Sequence, residues 1–229
     1  LKAIAIALAL LDFAPVFFLS LGLFFLAQLV DRLAPRGRVM ALSGFGLVML
    51  GGLAGAFSNL ALAFTGQEIP LLAASLYVFA GPGFTLMAAS MIRARAAVLK
   101  REISRDPWVV PLVVSWLFLG AAYYLNTAQE GAGGGNRVLI VLALSGNAFT
   151  CIVGAALGWA RHLHMAAFLF GMNIVGTAAF VSLRFLAPQN MLIQLFGEAL
   201  SLGAQAAFSF AAWRVAAEYE ARVGPIATK

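Results

Sequence analysis

Two carboxylic side chains lie inside long apolar runs of this chain: Asp12 about ten residues into the first run, and Glu198 about eight residues into the last. A carboxyl held in hydrocarbon costs about 2.5–3.5 kcal/mol on insertion scales, so it needs a partner, water or a task. At 1.5 Å of rise per residue both are expected roughly 12–15 Å below the same membrane face, a depth at which they can share one cavity. Carboxyls that share a cavity repel each other, which favours a proton held between them. A group that binds and releases a proton in this way is what a proton-coupled carrier requires.

Glu198 does not stand alone on its helix. Gln194, Glu198, Ser201, Gln205 and Ser209 follow one another at spacings of 4, 3, 4 and 4, which traces one helical face. Such a stripe cannot face lipid, so it faces a water-filled cavity or an interhelical hydrogen-bond network. Other apolar runs carry polar groups at similar depth. Asn147, Thr150 and Cys151 share a face with Gly154 and Gly158, Asn173 shares one with Thr177, and Tyr123 lies near Asn126. Asn59 and Tyr77 fall toward the same membrane side as Asp12 and Glu198. The expected site has Asp12 and Glu198 as titratable groups, with Gln194, Ser201, Gln205, Asn147 and Asn173 as hydrogen-bonding contacts. The plainer role for each amide or hydroxyl is to join neighbouring helices.

Gly81-Pro82-Gly83 sits in the middle of the third run. Proline removes an amide donor and crowds the preceding turn, and glycine loosens the backbone, so a kink, a local break or a hinge is expected there. Interruptions of this kind bound the substrate site in many carriers. Pro15 is placed to bend the first run beside Asp12.

The elements that position these residues follow from composition. Of 229 residues, 62% are hydrophobic and 10% charged, where a soluble domain is about half apolar and about a quarter charged. The bilayer is therefore the expected solvent. Seven runs are long and apolar enough to be read as transmembrane helices: 3–30, 39–64, 71–92, 109–126, 138–160, 165–183 and 191–213. The first run is too long for a signal-peptide core and is read as a helix of the mature bundle. The whole chain, 1–229, is expected to form one transmembrane domain.

The net charge of +6 is a topology signal rather than a nucleic-acid footprint, because the basic residues are confined to the connections. Arg32, Arg36, Arg38, Arg93, Arg95, Lys100, Arg101, Arg105, Arg161, Arg214, Arg222 and Lys229 fall on one side, twelve of the fifteen. Lys2, Arg137 and Arg184 fall on the other. The N-terminus is thus expected outside and the C-terminus in the cytoplasm, in a plasma membrane such as a bacterial inner membrane. Turn residues agree with the span limits: Ala34-Pro35-Arg36-Gly37, Thr65-Gly66-Gln67 before Pro70, and Ala187-Pro188-Gln189-Asn190. The glycine-rich stretch from Glu130 to Arg137 follows no strand and precedes no Gly-Lys-Ser/Thr, so it is read as a flexible linker.

Several chemistries are excluded or weakened. Lys2, Lys100 and Lys229 all lie outside the spans, which rules out a retinal Schiff base. No span contains a histidine; His162 and His164 share a tight turn that is read as an interfacial anchor, so neither a haem nor a metal site is expected in the bilayer. No cofactor is expected. Cys151 is the single cysteine, so no internal disulfide can form.

The leading expectation is an outward-facing polar pocket among spans 1, 5, 6 and 7 that binds and translocates a small solute, with proton linkage through Asp12 and Glu198. The alternatives are a non-catalytic membrane subunit or receptor-like sensor, and a lipid-acting enzyme using its paired carboxyls. The expected partners are the lipid bilayer, a small molecule, and a protein partner or a second copy of the chain.

Overall fold

The computed structural model describes residues 2–67, 69–101, 106–128, 134–186 and 191–223, and its regular elements are all helical there. They are α1 (Lys2–Leu11), α2 (Phe13–Leu33), α3 (Arg38–Thr65), α4 (Pro70–Val98), α5 (Val109–Ala128), α6 (Gly134–Trp159), α7 (His164–Leu186) and α8 (Met191–Val223). Pro35–Gly37 forms one short 3₁₀ turn between α2 and α3.

Six segments are long and apolar enough to cross a membrane: Lys2–Leu33, Pro35–Thr65, Pro70–Val98, Val109–Thr127, Gly134–Trp159 and His164–Leu183. The chain is an all-α, multi-pass membrane protein. The seventh expected run, 191–213, lies in α8 and is not among those six. The outer surface fits lipid: Phe17, Leu71, Trp116, Leu117, Val175 and Leu192 are all well exposed.

Helix ends follow local chemistry. Gly66 takes a left-handed conformation with φ 73° and its N–H closes on the Leu62 carbonyl at 2.8 Å, which ends α3. Pro70 then opens α4, where a missing N–H costs nothing. The first run is divided: Asp12 separates α1 from α2, and Pro15 has no N–H to offer the Leu11 carbonyl one turn back. The glycine-rich stretch gives way to helix sooner than expected, since Gly134, Gly135, Asn136 and Arg137 already belong to α6. Gly135 donates its N–H to Asn126 Oδ1 at 3.1 Å, and a side chain there would strike the Ala122 carbonyl of α5. Glu130, Gly131 and Gly133 lie outside the described residues, as does the Ala187-Pro188-Gln189-Asn190 turn. Past the expected end of the last span, α8 continues to Val223.

The helices α2, α3, α4, α6, α7 and α8 form a closed ring, each packed on the next and α8 packed back on α2. Close approaches fix its directions. Gly44 faces the Gly83 carbonyl and Gly51 the Leu76 carbonyl, so α3 and α4 are antiparallel. Gly154 faces Phe170 across α6 and α7, and Gly176 faces Ala204 across α7 and α8, again antiparallel. Gly22 faces Phe208 while Arg32 pairs with Glu220 at 2.8 Å, so α2 and α8 run parallel. With no hydrophobic drive between helices in lipid, this small-residue contact is what brings backbones together. The glycine faces of α3 and α6 are thereby occupied within the chain. The remaining span, α5, packs outside the ring on α4 and α6.

The apolar core fills the half of the ring that holds the C-terminal end of α2. Leu26, Leu29, Val30, Met87, Met91, Leu157, Phe208, Val215 and Tyr219 are buried there. The other half, around Asp12, is not filled in the same way.

Candidate functional site

A cavity of about 440 Å³ occupies that second half, and every helix of the ring lines it. Its volume falls within the range of small-molecule sites, about 300–1,000 Å³. Asp12 enters it from the junction of α1 and α2, next to Pro15, Val16 and Leu19 of α2. From α8 come Glu198, Ser201 and Gln205, three successive steps of the polar stripe, all buried. Both intramembrane carboxyls therefore border one space, as their depths in the sequence imply.

Each remaining ring helix contributes in a defined way. On α3, Gly52, Gly55 and Ala56 keep one wall low, and Ser58 and Asn59 stand at its end. Asn59 donates its side-chain N–H to Asp12 Oδ2, which fixes that carboxyl against α3. Tyr77, Ala80 and Phe84 line the cavity from α4, and Thr177, Phe180 and Val181 from α7. Asn136, Ile140, Ala143, Leu144 and Asn147 form the α6 wall. Leu62 and Asn136 are exposed as well as lining, so the cavity reaches the molecular surface at the end that carries the N-terminus.

The floor is a hydrogen-bonded chain across three helices. Asn147 donates from Nδ2 to Asn173 Oδ1 at 3.1 Å. Asn173 in turn donates from Nδ2 to Gln205 Oε1 at 3.2 Å and to the Ala204 carbonyl at 3.0 Å. Gln205 donates onward to Thr177 Oγ1 at 3.4 Å, and the Cys151 thiol donates to Asn173 Oδ1 at 3.3 Å. Asn173 is completely buried and does not border the cavity. It holds the two amides that do.

Three expectations change. Gln194 is exposed and is not among the residues that line the cavity. Ser209, the other end of the stripe, is buried against the Gly22 face of α2 rather than in the cavity. Spans 2 and 3 line the space along with spans 1, 5, 6 and 7, because α3 and α4 close the ring.

The Gly81-Pro82-Gly83 sequence does not break α4, which is helical from Pro70 to Val98. Its glycines serve close packing: a Cβ on Gly83 would lie 2.8 Å from Val48 and 2.9 Å from the Gly44 carbonyl, and one on Gly81 would lie 3.0 Å from Leu142. None of the three borders the cavity, although Ala80 and Phe84 on either side do. Tyr123 and Asn126 of α5 are also absent from it; Asn126 ties α5 to the start of α6 instead.

Asn136 was hidden from sequence reasoning by the glycines around it. A signal was present: Asn136, Ile140, Ala143 and Asn147 recur at spacings of 4, 3 and 4, so the Asn147 face extends back into the glycine-rich stretch. Phe180 had no such signal, because an aromatic in an apolar run reads as lipid-facing or core.

The opposite end of the ring is closed by side chains. Arg32 pairs with Glu220, holding that carboxyl below its ordinary value, first through the hydrogen bond and then through charge. The Arg161 guanidinium lies 4.6 Å from the centre of the buried Tyr219 ring. His162 and His164 are in this end too, with Trp159 edge-on to His164 at 4.5 Å. The result is a chamber with mostly apolar walls and a few polar groups above, and a basic end packed with side chains below.

No protein family, characterised protein or solved structure matches this chain.

Proposed function

We propose that the chain is a seven-span carrier of the plasma membrane that binds a small solute in this cavity and moves it across the bilayer, with Asp12 and Glu198 handling a coupled proton. The observation that carries the reading is the convergence of both intramembrane carboxyls on one space inside a closed ring. Ser201, Gln205 and Asn147 supply hydrogen bonds to the solute, and Asn173 holds Gln205 and Asn147 in place. Asp12 and Glu198 exchange the proton when the solute enters.

Seven crossings are supported by α8 running parallel to α2 and beside it, as first and last spans of an odd-numbered bundle do. Its 33 residues extend about 50 Å, more than the hydrocarbon thickness of about 30 Å. An outward N-terminus is supported by the basic residues gathered at the sealed end.

The test is thermal stabilisation of the detergent-purified protein across a panel of metabolites, at two pH values and in Glu198→Gln. A ligand stabilises only the state it binds, so a pH-dependent rise in Tm that disappears in the variant is the expected result. The stabilising solute should then drive a counter-movement of protons in proteoliposomes. A panel with no stabilising member, together with a variant as stable as the parent, would remove the carrier reading and favour a subunit of a larger complex.

A further inference from the structure

Resting on the carrier reading, we infer that the solute presents a carbonyl-type oxygen to the floor of the cavity, where amide N–H and hydroxyl O–H groups of α6, α7 and α8 hold it. The direction of the floor's hydrogen bonds carries this. A backbone carbonyl can only accept, so the Asn173 group 3.0 Å from the Ala204 carbonyl is its amide nitrogen. The second hydrogen of that nitrogen goes to Gln205, which must therefore turn its oxygen, Oε1, toward Asn173 at 3.2 Å. Asn173 is left with its own oxygen facing α6, so Asn147 meets it with Nδ2 at 3.1 Å. One backbone acceptor thus sets the orientation of all three amides.

Gln205 and Asn147 border the cavity, and each has spent one amide hydrogen, Gln205 on Thr177 Oγ1 at 3.4 Å and Asn147 on Asn173. Their oxygens are engaged elsewhere. Gln205 Oε1 is held by Asn173, and Asn147 Oδ1 lies 3.8 Å from the Cys151 sulfur; both partners are completely buried and neither borders the cavity. Thr177 borders the cavity and accepts from Gln205. Its own O–H is not spent on the carbonyl one turn back, as those of Thr150 and Ser182 are at 2.8 and 2.9 Å. Among the described residues, Asn147, Gln205 and Thr177 therefore each keep a hydrogen to donate at the floor.

A buried donor without an acceptor is unfavourable, so a site built from such donors favours a ligand that supplies one and rejects the analogue that lacks it. A carbonyl oxygen offers two lone pairs and can take two of these hydrogens at once. A donor group on the solute would meet hydrogens there instead of lone pairs. Above the floor, aliphatic side chains and glycines make up most of the described lining, which suits an apolar body attached to that oxygen and not a sugar with many hydroxyls.

The experiment compares three uncharged probes on the purified full chain, so that hydrogen-bond polarity is read apart from charge. They are acetophenone, which accepts; α-methylstyrene, the same shape with a methylene in place of the carbonyl oxygen; and indole, which donates. A neutral hydrogen bond changes affinity by about two- to tenfold, so acetophenone is expected to bind at least about fivefold more tightly than α-methylstyrene, with indole no better than the alkene. The infrared carbonyl stretch of bound, isotope-labelled acetophenone should fall below its position in the detergent micelle alone. Thr177→Val removes the O–H and keeps the shape, so it should shrink the preference at least about twofold, and Thr177→Ser should restore it.

Equal affinity of ketone and alkene, tighter binding of indole than of the ketone, or an unshifted carbonyl stretch overturns the assignment; probes that displace one another would still mark the cavity as occupied. A preference that Thr177→Val leaves unchanged overturns the floor as its source. The stretch is measured on the parent, so it decides the matter even if that variant does not fold. Binding of none of the three also overturns the assignment, and the metabolite panel then decides separately whether the cavity binds a solute at all.

Discussion

Asn147 and Asn173 meet side chain to side chain between α6 and α7, with Nδ2 of the first donating to Oδ1 of the second at 3.1 Å, and both are buried. The bond is one link in a chain that ends on Gln205 and Thr177 and forms the floor of the cavity. Because Asn173 uses its amide N–H groups on α8 and its oxygen on α6, it fixes three helices at once.

A double-mutant cycle on this pair should therefore show coupling. Asn147→Ala and Asn173→Ala are each expected to lower stability, with an interaction energy of about 0.6 kcal/mol and at most about 1.7 kcal/mol, the range for interhelical bonds in lipid. Reversible denaturation in mixed micelles measures it. Additive losses would mean that the bond is geometric only.

The packing of α3 on α4 separates two glycines only two residues apart. A Cβ on Gly44 would lie 2.7 Å from the Gly83 carbonyl oxygen and 2.9 Å from the Met87 nitrogen, both backbone atoms that cannot swing away. One on Gly46 would meet nothing within 4 Å. Gly44→Ala should cost about 1–3 kcal/mol by forcing the helices apart. Gly46→Ala should be neutral or gain up to about 1 kcal/mol from helix propensity. Equal effects on Tm would contradict the tight crossing.

The Arg32–Glu220 pair predicts a pH dependence at the sealed end. Arg32 holds the Glu220 carboxyl below its ordinary value of 4.5. A lowered value in the folded state gives stability that is fully present above pH 4.5 and is lost as pH falls through the folded value. The Tm of the parent should exceed that of Glu220→Gln at neutral pH, and the two curves should converge in acid. Added salt should narrow the gap, since the carboxylate is exposed. Parallel curves at all pH values would show that the pair contributes nothing.

Topology is open to a labelling test because the single cysteine, Cys151, is completely buried. The parent should not react with a membrane-impermeant maleimide. In intact cells Gln67→Cys, just after α3, should be labelled, and Arg36→Cys, just before it, should be labelled only after the membrane is opened. The reverse pattern would invert the proposed orientation.

Much of this architecture is legible in the residues. Apolar runs of about 20 residues mark the spans, because an unpaired backbone in hydrocarbon must close its hydrogen bonds within a helix. Gly66 and Pro70 mark the α3–α4 turn for equally local reasons, φ and a missing N–H. The depths of Asp12 and Glu198 follow from rise per residue. The α8 stripe also announced itself, though Gln194 and Ser209 show that a face in sequence extends further than the cavity it lines.

The rest depended on which helix stands beside which. Gly81-Pro82-Gly83 carries the local signature of a hinge, yet its glycines are needed where α4 presses on α3 and α6, and only the crossing reveals that. Asn173 and Gln205 look alike as polar residues in apolar runs, but one is sealed behind the wall and the other borders the space. Periodicity gives the angular position of a side chain on its own helix; the neighbour it meets is set by close contacts between residues far apart in the chain. The sequence alone thus determined an all-helical membrane chain with two carboxyls inside its apolar runs. The tertiary structure decided that six helices close into a ring around both of them, because backbone approach at Gly22, Gly44, Gly51, Gly154 and Gly176 is a property of pairs of helices, not of any one of them.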